Sequence, residues 1–222
     1  MSKVIGQVIE YQKEDRRYIV GKGKYVEDIS IPGMLWISFV RSPHAHANIL
    51  SIDKSAAKKH PEVISVLSAE DLIGKCKDIP GMPFGTIAEM QIPSIPVLAR
   101  KKVFQVGQPV VAVIASSRYV ARDAVDLVEV QYDPLEAIVD PEDAMKPNAP
   151  IIHDDLKDNR CFKWSASRGN VSDAFEKADV IVRERILNNR VAVAPIEPRG
   201  CVADWNAKDK TFTVWVNTQH PN

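Results

Sequence analysis

Few residues in this chain have both the type and the spacing to do chemistry, and the most telling of them stand at its end. Phe212, Val214 and Val216 alternate with Thr213, Trp215 and Asn217, and the chain then runs Thr218-Gln219-His220-Pro221-Asn222. The alternation predicts a strand, and the polar, proline-containing end predicts a strand leaving its sheet for a polar site. Gln219 carries an uncharged amide that both donates and accepts. Such an amide suits a metal-oxo group or the polar edge of a cofactor, because it donates a hydrogen bond without adding a full charge. The expectation is one side of a site whose other side comes from elsewhere.

Other candidates are weaker. His44 and His46 stand two apart after a strand, so in an extended segment both point the same way and could share a metal. No acidic or sulfur ligand is near them in sequence, and turn histidines usually bond backbone, so no metal ligand is assigned. Gly21-Lys22-Gly23-Lys24 opens like a phosphate-cradling loop but lacks both the third glycine of the dinucleotide spacing and a Gly-Lys-Ser/Thr, and reads as a basic turn. There is no Gly-x-Ser-x-Gly nucleophile elbow. Asp154 and Asp155 are adjacent acids in a proline-flanked loop and read as solvated rather than as an acid/base pair. Glu197, between Pro195 and Pro198, reads either as a structural anchor near a site, with Arg199 as partner, or as an exposed loop acid; buried, it must be paired. Cys76, Cys161 and Cys201 are odd in number, far apart and outside any C-x-x-C, which predicts reduced thiols.

The elements that position these residues follow from pattern. Residues 1–20 are polar and predict an extended arm or loop. Leu35 to Val40 and Ile49 to Ile52 predict strands, joined by a loop that contains Pro43. A short helix is expected from Ser55 to His60 and stops at Pro61. A strand follows at Val63 to Leu67, and Ser68 caps one helical turn. Gly74 to Pro96 is irregular, with Met82, Phe84 and Met90 covering either the domain's own core or a neighbouring subunit. Val110 to Ala115 is a nearly continuous apolar strand. Ser116-Ser117 cap a helix with Val120, Ala121, Ala124, Val125 and Val128 on one face, and Glu129 to Tyr132 is the next strand. This order implies a layered α+β or α/β module. Prolines 134, 141, 147 and 150 punctuate a linker with a short helix at Pro141 to Met145. A helix at Val171 to Ala178, capped by Asn170 or Ser172, and strands at Val180 to Leu187, Gly200 to Trp205 and Thr211 to Thr218 complete the series. The last two strands share a polar hairpin loop, Asn206 to Lys210.

Composition narrows the class. A chain of 222 residues with 45% apolar and 26% charged residues builds a globular core. Charges balance at 29 against 29, which removes the main electrostatic argument for nucleic acid or an anionic membrane. No apolar run approaches the ~20 residues of a membrane span, and the N-terminus lacks a signal-peptide core, so a cytoplasmic protein is expected.

Several segments, taken in order, carry a resemblance. They are Gly21-Lys22-Gly23-Lys24-Tyr25-Val26-Glu27-Asp28-Ile29, Pro32-Gly33-Met34-Leu35 and Phe39-Val40-Arg41-Ser42-Pro43-His44-Ala45-His46-Ala47. After them come Leu98-Ala99, Val106-Gly107-Gln108-Pro109-Val110 and Val130-Gln131-Tyr132-Asp133-Pro134-Leu135, then His153-Asp154-Asp155-Leu156, Gly169-Asn170-Val171, Glu197-Pro198-Arg199-Gly200 and Thr218-Gln219. Over residues 18–222 the chain resembles the N-terminal part of the large subunit of molybdenum hydroxylases, the family of xanthine dehydrogenase, aldehyde oxidase and aerobic carbon monoxide dehydrogenase.

The resemblance implies an α+β fold: an N-terminal arm (1–17), an α/β hammerhead domain (18–148) and an incomplete mixed β/α molybdopterin-binding region (149–222). It implies a molybdopterin-type molybdenum cofactor in the assembled enzyme, with Gln219 at the position whose amide bonds the molybdenum oxo group. The implied partners are the C-terminal remainder of the large subunit, an iron-sulfur small subunit with 2Fe-2S clusters and a flavin medium subunit with FAD. The general-base glutamate of the family is expected beyond Asn222, leaving no catalytic residue in this chain and no activity for it alone. The implied reaction is oxidative hydroxylation of an aldehyde, a heterocycle or carbon monoxide. The competing expectation is a non-catalytic assembly module that docks the iron-sulfur or flavin subunits through the irregular 74–96 segment.

Overall fold

A computed structural model describes residues 15–81 and 90–218, and the chain divides into two compact units. One unit is Met34–Ile181; the other gathers the described residues up to Gly33 with those from Val182 onward.

The larger unit is organised by its most apolar strand. Strand β5 (Pro109–Ala115) is buried along most of its length, so it takes the centre of a three-stranded antiparallel sheet. Strand β1 (Trp36–Arg41) pairs on one side, from Trp36 opposite Ala115 to Val40 opposite Val111. Strand β3 (Val63–Ser68) pairs on the other, with Leu67 opposite Ala112. A second antiparallel sheet places β2 (Ala47–Asp53) between the two-residue β4 (Lys102–Val103) and β6 (Glu129–Pro134).

Helix α3 (Arg118–Val125) starts at Ser117, whose hydroxyl accepts the Val120 N–H at 3.2 Å. It packs on β1 and β5 through Ala121 and Ala124, both buried, and these small side chains permit a close approach to the sheet. Val66, Val110, Val111 and Val113 fill the main core with Ala47, Ala57, Val103 and Val128. A smaller core holds Leu98, Ala69 and Ala112 with Phe39, Leu67 and Leu72. The alternation of β5 puts Ala112 on the face opposite Val111 and Val113, so both faces of the strand are covered.

Short helices punctuate the rest of this unit. Helix α2 (Ser55–Lys59) buries Ala57, and a 3-10 turn at Ala69–Leu72 is closed by a capping box between Ser68 and Asp71. Lys54 donates to Asp71 at 2.6 Å, and together with Ser68 it holds the Asp71 carboxyl well below the usual carboxylate range. Helix α4 (Pro141–Ala144) is capped by Asp140, and α5 (Val171–Glu176) by Asn170, whose side chain accepts the Asp173 N–H.

The smaller unit contains helix α1 (Asp15–Ile19), a 3-10 turn at Val26–Asp28 and the hairpin of β7 (Cys201–Asn206) with β8 (Thr211–Val216). The hairpin pairs Trp205 with Phe212, Ala203 with Val214 and Cys201 with Val216 on one face. The Trp205 and Phe212 rings lie 4.6 Å apart. Lys210 takes a left-handed conformation (φ 54°) where the loop re-enters β8, and the Asn206 amide oxygen accepts the N–H groups of Lys208 and Asp209.

Three expectations need correction, and one strand lay outside them. The arm expected over 1–20 contains helix α1. The helix expected to Ala178 ends at Glu176, with Lys177 as its cap. The strand expected at Val180 to Leu187 is not formed: the segment has no pairing partner among the described residues, and Val180, Val182 and Ile186 are exposed. A β-prone sequence without a neighbouring edge gains no ladder hydrogen bonds. Strand β4, set by Ala47 opposite Val103, was not expected, because two residues show no periodicity.

Candidate functional site

Gln219 lies outside the described residues, and its surroundings are therefore approached from the strand that leads to it. Strand β8 ends at Val216, and the next residue, Asn217, ties that end down. Its Nδ2 donates to the Pro198 carbonyl at 2.7 Å, with a longer approach of 3.5 Å to the Glu197 carbonyl, and its Oδ1 accepts the Gly200 N–H at 3.0 Å. Glu197 in turn accepts the Val26 N–H through Oε1 at 2.9 Å, across 171 residues of sequence. Val26 opens the 3-10 turn in which Tyr25 N–H donates to Asp28, so the Glu197 carboxylate occupies one of the free N–H groups at that turn's start. Glu197 is thus the anchor of its two readings, and its partner is Val26 backbone rather than Arg199.

The loop between β1 and β2 is a brace. Arg41 Nη1 donates to Gly107 O at 2.8 Å, Gly107 N to Ser42 O at 2.8 Å, and Ser42 N to Gln108 O at 2.9 Å. The Ser42 hydroxyl is buried and bonds both the carbonyl and the N–H of His44, while Gln108 Oε1 accepts Phe104 N–H at 2.7 Å. Gly107 has φ +84°, a conformation that only glycine adopts without strain. The Arg-Ser-Pro-His and Val-Gly-Gln-Pro segments thus lock each other in place.

The two histidines of that loop go separate ways. His44 lies edge-on to Tyr132, with centroids 5.1 Å apart. His46 is buried, with Nδ1 2.7 Å from the Glu136 carbonyl, and its ring faces Phe104. That carbonyl can only accept, so Nδ1 carries the proton and Nε2 is left buried without a partner in the structure. Phe104 stacks on His153 at 4.3 Å. Burial pushes the His153 imidazole below its ordinary pKa, and nearby His46 adds to this, against the opposing pull of Asp155 and Asp154.

Asp154 and Asp155 are bonded rather than merely solvated. Asp154 takes both oxygens to Lys102 Nζ at 2.7 Å, and Asp155 accepts the Ser94 N–H. Gln91 ties the same stretch from the other side: Nε2 donates to Asp158 and to Arg160 O, Oε1 accepts Lys157 N–H, and its backbone bonds Cys161 on both sides. The described parts of the irregular segment therefore fold back on their own domain, with Ile79 bridging to Ile95. Met82 and Phe84 lie outside the described residues. Gly21 to Lys24 form the turn that ends α1, where Lys22 N–H donates to Arg17 O. The three cysteines are free and exposed. The bonding roles of Gln91 and Asn217 leave no signal in the sequence, because an amide's partners are set by chain segments that only the fold brings together.

Among the described residues no three His, Cys, Asp or Glu side chains lie together so as to hold a metal ion. The polar groups described at the β8 exit are the Asn217 amide, the Glu197 carboxylate and backbone groups, and they bond one another. A family model described as the a/b hammerhead domain of aldehyde oxidase and xanthine dehydrogenase matches residues 20–136, more than half of the chain. The chain belongs to that family.

A second model, the molybdopterin cofactor-binding domain, matches residues 152–222 of this member of the aldehyde oxidase and xanthine dehydrogenase family. The carbon monoxide dehydrogenase large chain of Afipia carboxidovorans is 42% identical over 94% of this chain and 27% of its own length. The nicotine 6-hydroxylase large subunit of Paenarthrobacter nicotinovorans is 39% identical over 99% of this chain and 26% of its own. Among solved structures, quinoline 2-oxidoreductase from Pseudomonas putida superposes with a TM-score of 0.87 at 32% identity, covering all of this chain and 28% of that one. The α+β hammerhead architecture is thus shown, and the chain spans about a quarter of the length of these relatives. Among the described residues no helix is long and apolar enough to cross a membrane.

Proposed function

We propose that this chain supplies the N-terminal portion of the large subunit of a cytoplasmic molybdenum hydroxylase, with the hammerhead domain over 18–148 and the entry to the molybdopterin site from 149. The observation that carries this reading is the run of two family matches in order, the hammerhead domain over 20–136 and the molybdopterin cofactor-binding domain over 152–222, and β8 lies near the end of the second, where Asn217 donates to the Pro198 carbonyl and accepts the Gly200 N–H. The molybdenum cofactor, when bound, supplies the two-electron oxidation, in which a carbon centre gains an oxygen from water and releases two protons and two electrons.

The chain's own residues contribute position. Gln219 donates one neutral hydrogen bond to the polar edge of the cofactor, and a donor held in place before the reaction stabilises developing charge without reorganising. The remainder of the large subunit completes the pocket and brings the general base; iron-sulfur and flavin subunits carry the electrons away. The isolated chain is inactive. The substrate is an aldehyde, a nitrogen heterocycle or carbon monoxide, decided by residues outside this chain.

Co-expression with the remaining subunits tests this. The expected product is a molybdenum-loaded complex in which Gln219→Ala lowers turnover by about 10²- to 10³-fold, the usual loss for one preorganised donor. A complex that assembles but never acquires molybdenum, or a Gln219→Ala enzyme with unchanged turnover, overturns the proposal.

A further inference from the structure

We propose that residues 150–161 form a strap that lifts from the larger unit as one body, released by salt while the core beneath stays folded. Strap and core both belong to the Met34–Ile181 unit.

The way the strap is held carries the inference. None of residues 150–161 is buried, and neither apolar core includes one of them. Its attachment is polar apart from one ring contact, His153 on Phe104. Lys102 Nζ meets both Asp154 oxygens at 2.7 Å, and the Asp154 side chain is 71% exposed, so water and salt reach the pair. Asp155 accepts the Ser94 N–H at 3.3 Å. Gln91 clasps the far end: Nε2 donates to Asp158 Oδ1 at 2.9 Å and to the Arg160 carbonyl at 2.8 Å, Oε1 accepts the Lys157 N–H at 3.1 Å, and the Gln91 N–H donates to the Cys161 carbonyl at 2.8 Å. All of these partners stand between Gln91 and Phe104, so the strap rests on a single stretch of chain. Local opening costs least where few apolar contacts are lost.

Within itself the strap is closed. Asn159 Oδ1 accepts the Ile152 N–H at 2.9 Å, and its Nδ2 donates to the Pro150 carbonyl at 2.9 Å. The Leu156 N–H donates to the His153 carbonyl at 3.0 Å. One side chain thus joins the two ends, as in a compact Ω-loop, and none of these bonds needs the surface underneath. A second Nδ2 contact, 3.2 Å to the Ala144 carbonyl, keeps the strap joined to the end of α4, where it hinges. The cofactor-binding match begins at residue 152, so this gives the chain a joint at the passage between its two matched regions.

Amide hydrogen exchange in the full 222-residue chain tests the motion. The N–H groups of Gln91, Ser94 and Lys157 bridge strap and body, and one lift breaks all three bonds together. Those of Ile152 and Leu156 bond inside the strap, and those of Val111 and Val113 lie in β5. The expected result is one shared protection factor for Gln91, Ser94 and Lys157, a higher one for Ile152 and Leu156, and the highest for Val111 and Val113. Raising salt from about 0.1 M to about 1 M shortens the Debye length from about 10 Å to about 3 Å, and is expected to lower the shared factor about 2- to 5-fold without changing β5. Lys102→Met is expected to give a similar drop at low salt and to abolish the response to salt.

Unrelated factors at the three bridging amides make the contacts independent and overturn the inference. So does a shared factor equal to that of β5, which ties the strap to global unfolding, and so does an Ile152 that exchanges as fast as Lys157, which means that the segment unravels. A shared factor indifferent to salt overturns it as well. The salt series uses the unaltered chain, so the outcome stands even where Lys102→Met fails to fold.

Discussion

At the scale of single residues, His153 shows how one half-buried side chain makes a segment sensitive to pH. It stacks on Phe104 in a segment held by Lys102, Ser94 and Gln91, and burial lowers its pKa from 6.5. When the segment lifts away, the imidazole recovers its ordinary affinity for a proton, so the detached form binds more protons and the attached form weakens as pH falls. Protease sensitivity of residues 150–161 is expected to rise as pH drops through about 6.5 toward the depressed value, and His153→Phe is expected to flatten that dependence while keeping the stack. A pH-independent wild type would contradict this. The left-handed Lys210 gives a second expectation. Lys210→Gly relieves the Cβ clash of that conformation and should raise thermal stability by about 0.5–1 kcal/mol, seen as a higher melting temperature. Residue identity could be read from the sequence where chemistry is local, as with Ser117 and Asn170 at their helices. It could not be read for Gln91 or Asn217, whose partners lie far along the chain.

At the scale of elements, β5 decides the larger unit. Its apolar run was legible because burial on both faces removes the alternation that an edge strand shows, and the helix after it was legible from its cap and its face. Strand β4 and the missing strand over 180–187 were not legible, since both depend on whether a neighbour is there to pair. The smaller core gives a test of this layer. Leu98 is buried against Ala112 on the face of β5 away from α3, and Leu98→Ala should cost about 2–5 kcal/mol in chemical denaturation by leaving a cavity there. A loss well below that range would mean that the 96–99 segment collapses into the space.

At the scale of the whole molecule, the two units differ in how much of themselves they cover. The larger one wraps its central strand on both faces. The hairpin of the smaller one leaves Phe212 and Val214 more than half exposed, with Val216, Trp205 and Ala203 on the same face. A contiguous apolar face of this kind marks a contact surface. In the proposed assembly the rest of the large subunit takes it. The fold class was readable from the order of segments, because family motifs fall at loops that hold the sheets together. Of the site the sequence offers only the expectation at Gln219, which lies outside the described residues, because a pocket built by several segments is not written in any one of them.

The interlock of Arg41 and Ser42 with Gly107 and Gln108 bears on how enzymes of this kind diversify. That stretch is scaffolding, because the buried Ser42 and the bonds across to Gly107 and Gln108 hold two loops of the larger unit together. Exchanging this module between two such enzymes should leave the preference for substrate with the recipient.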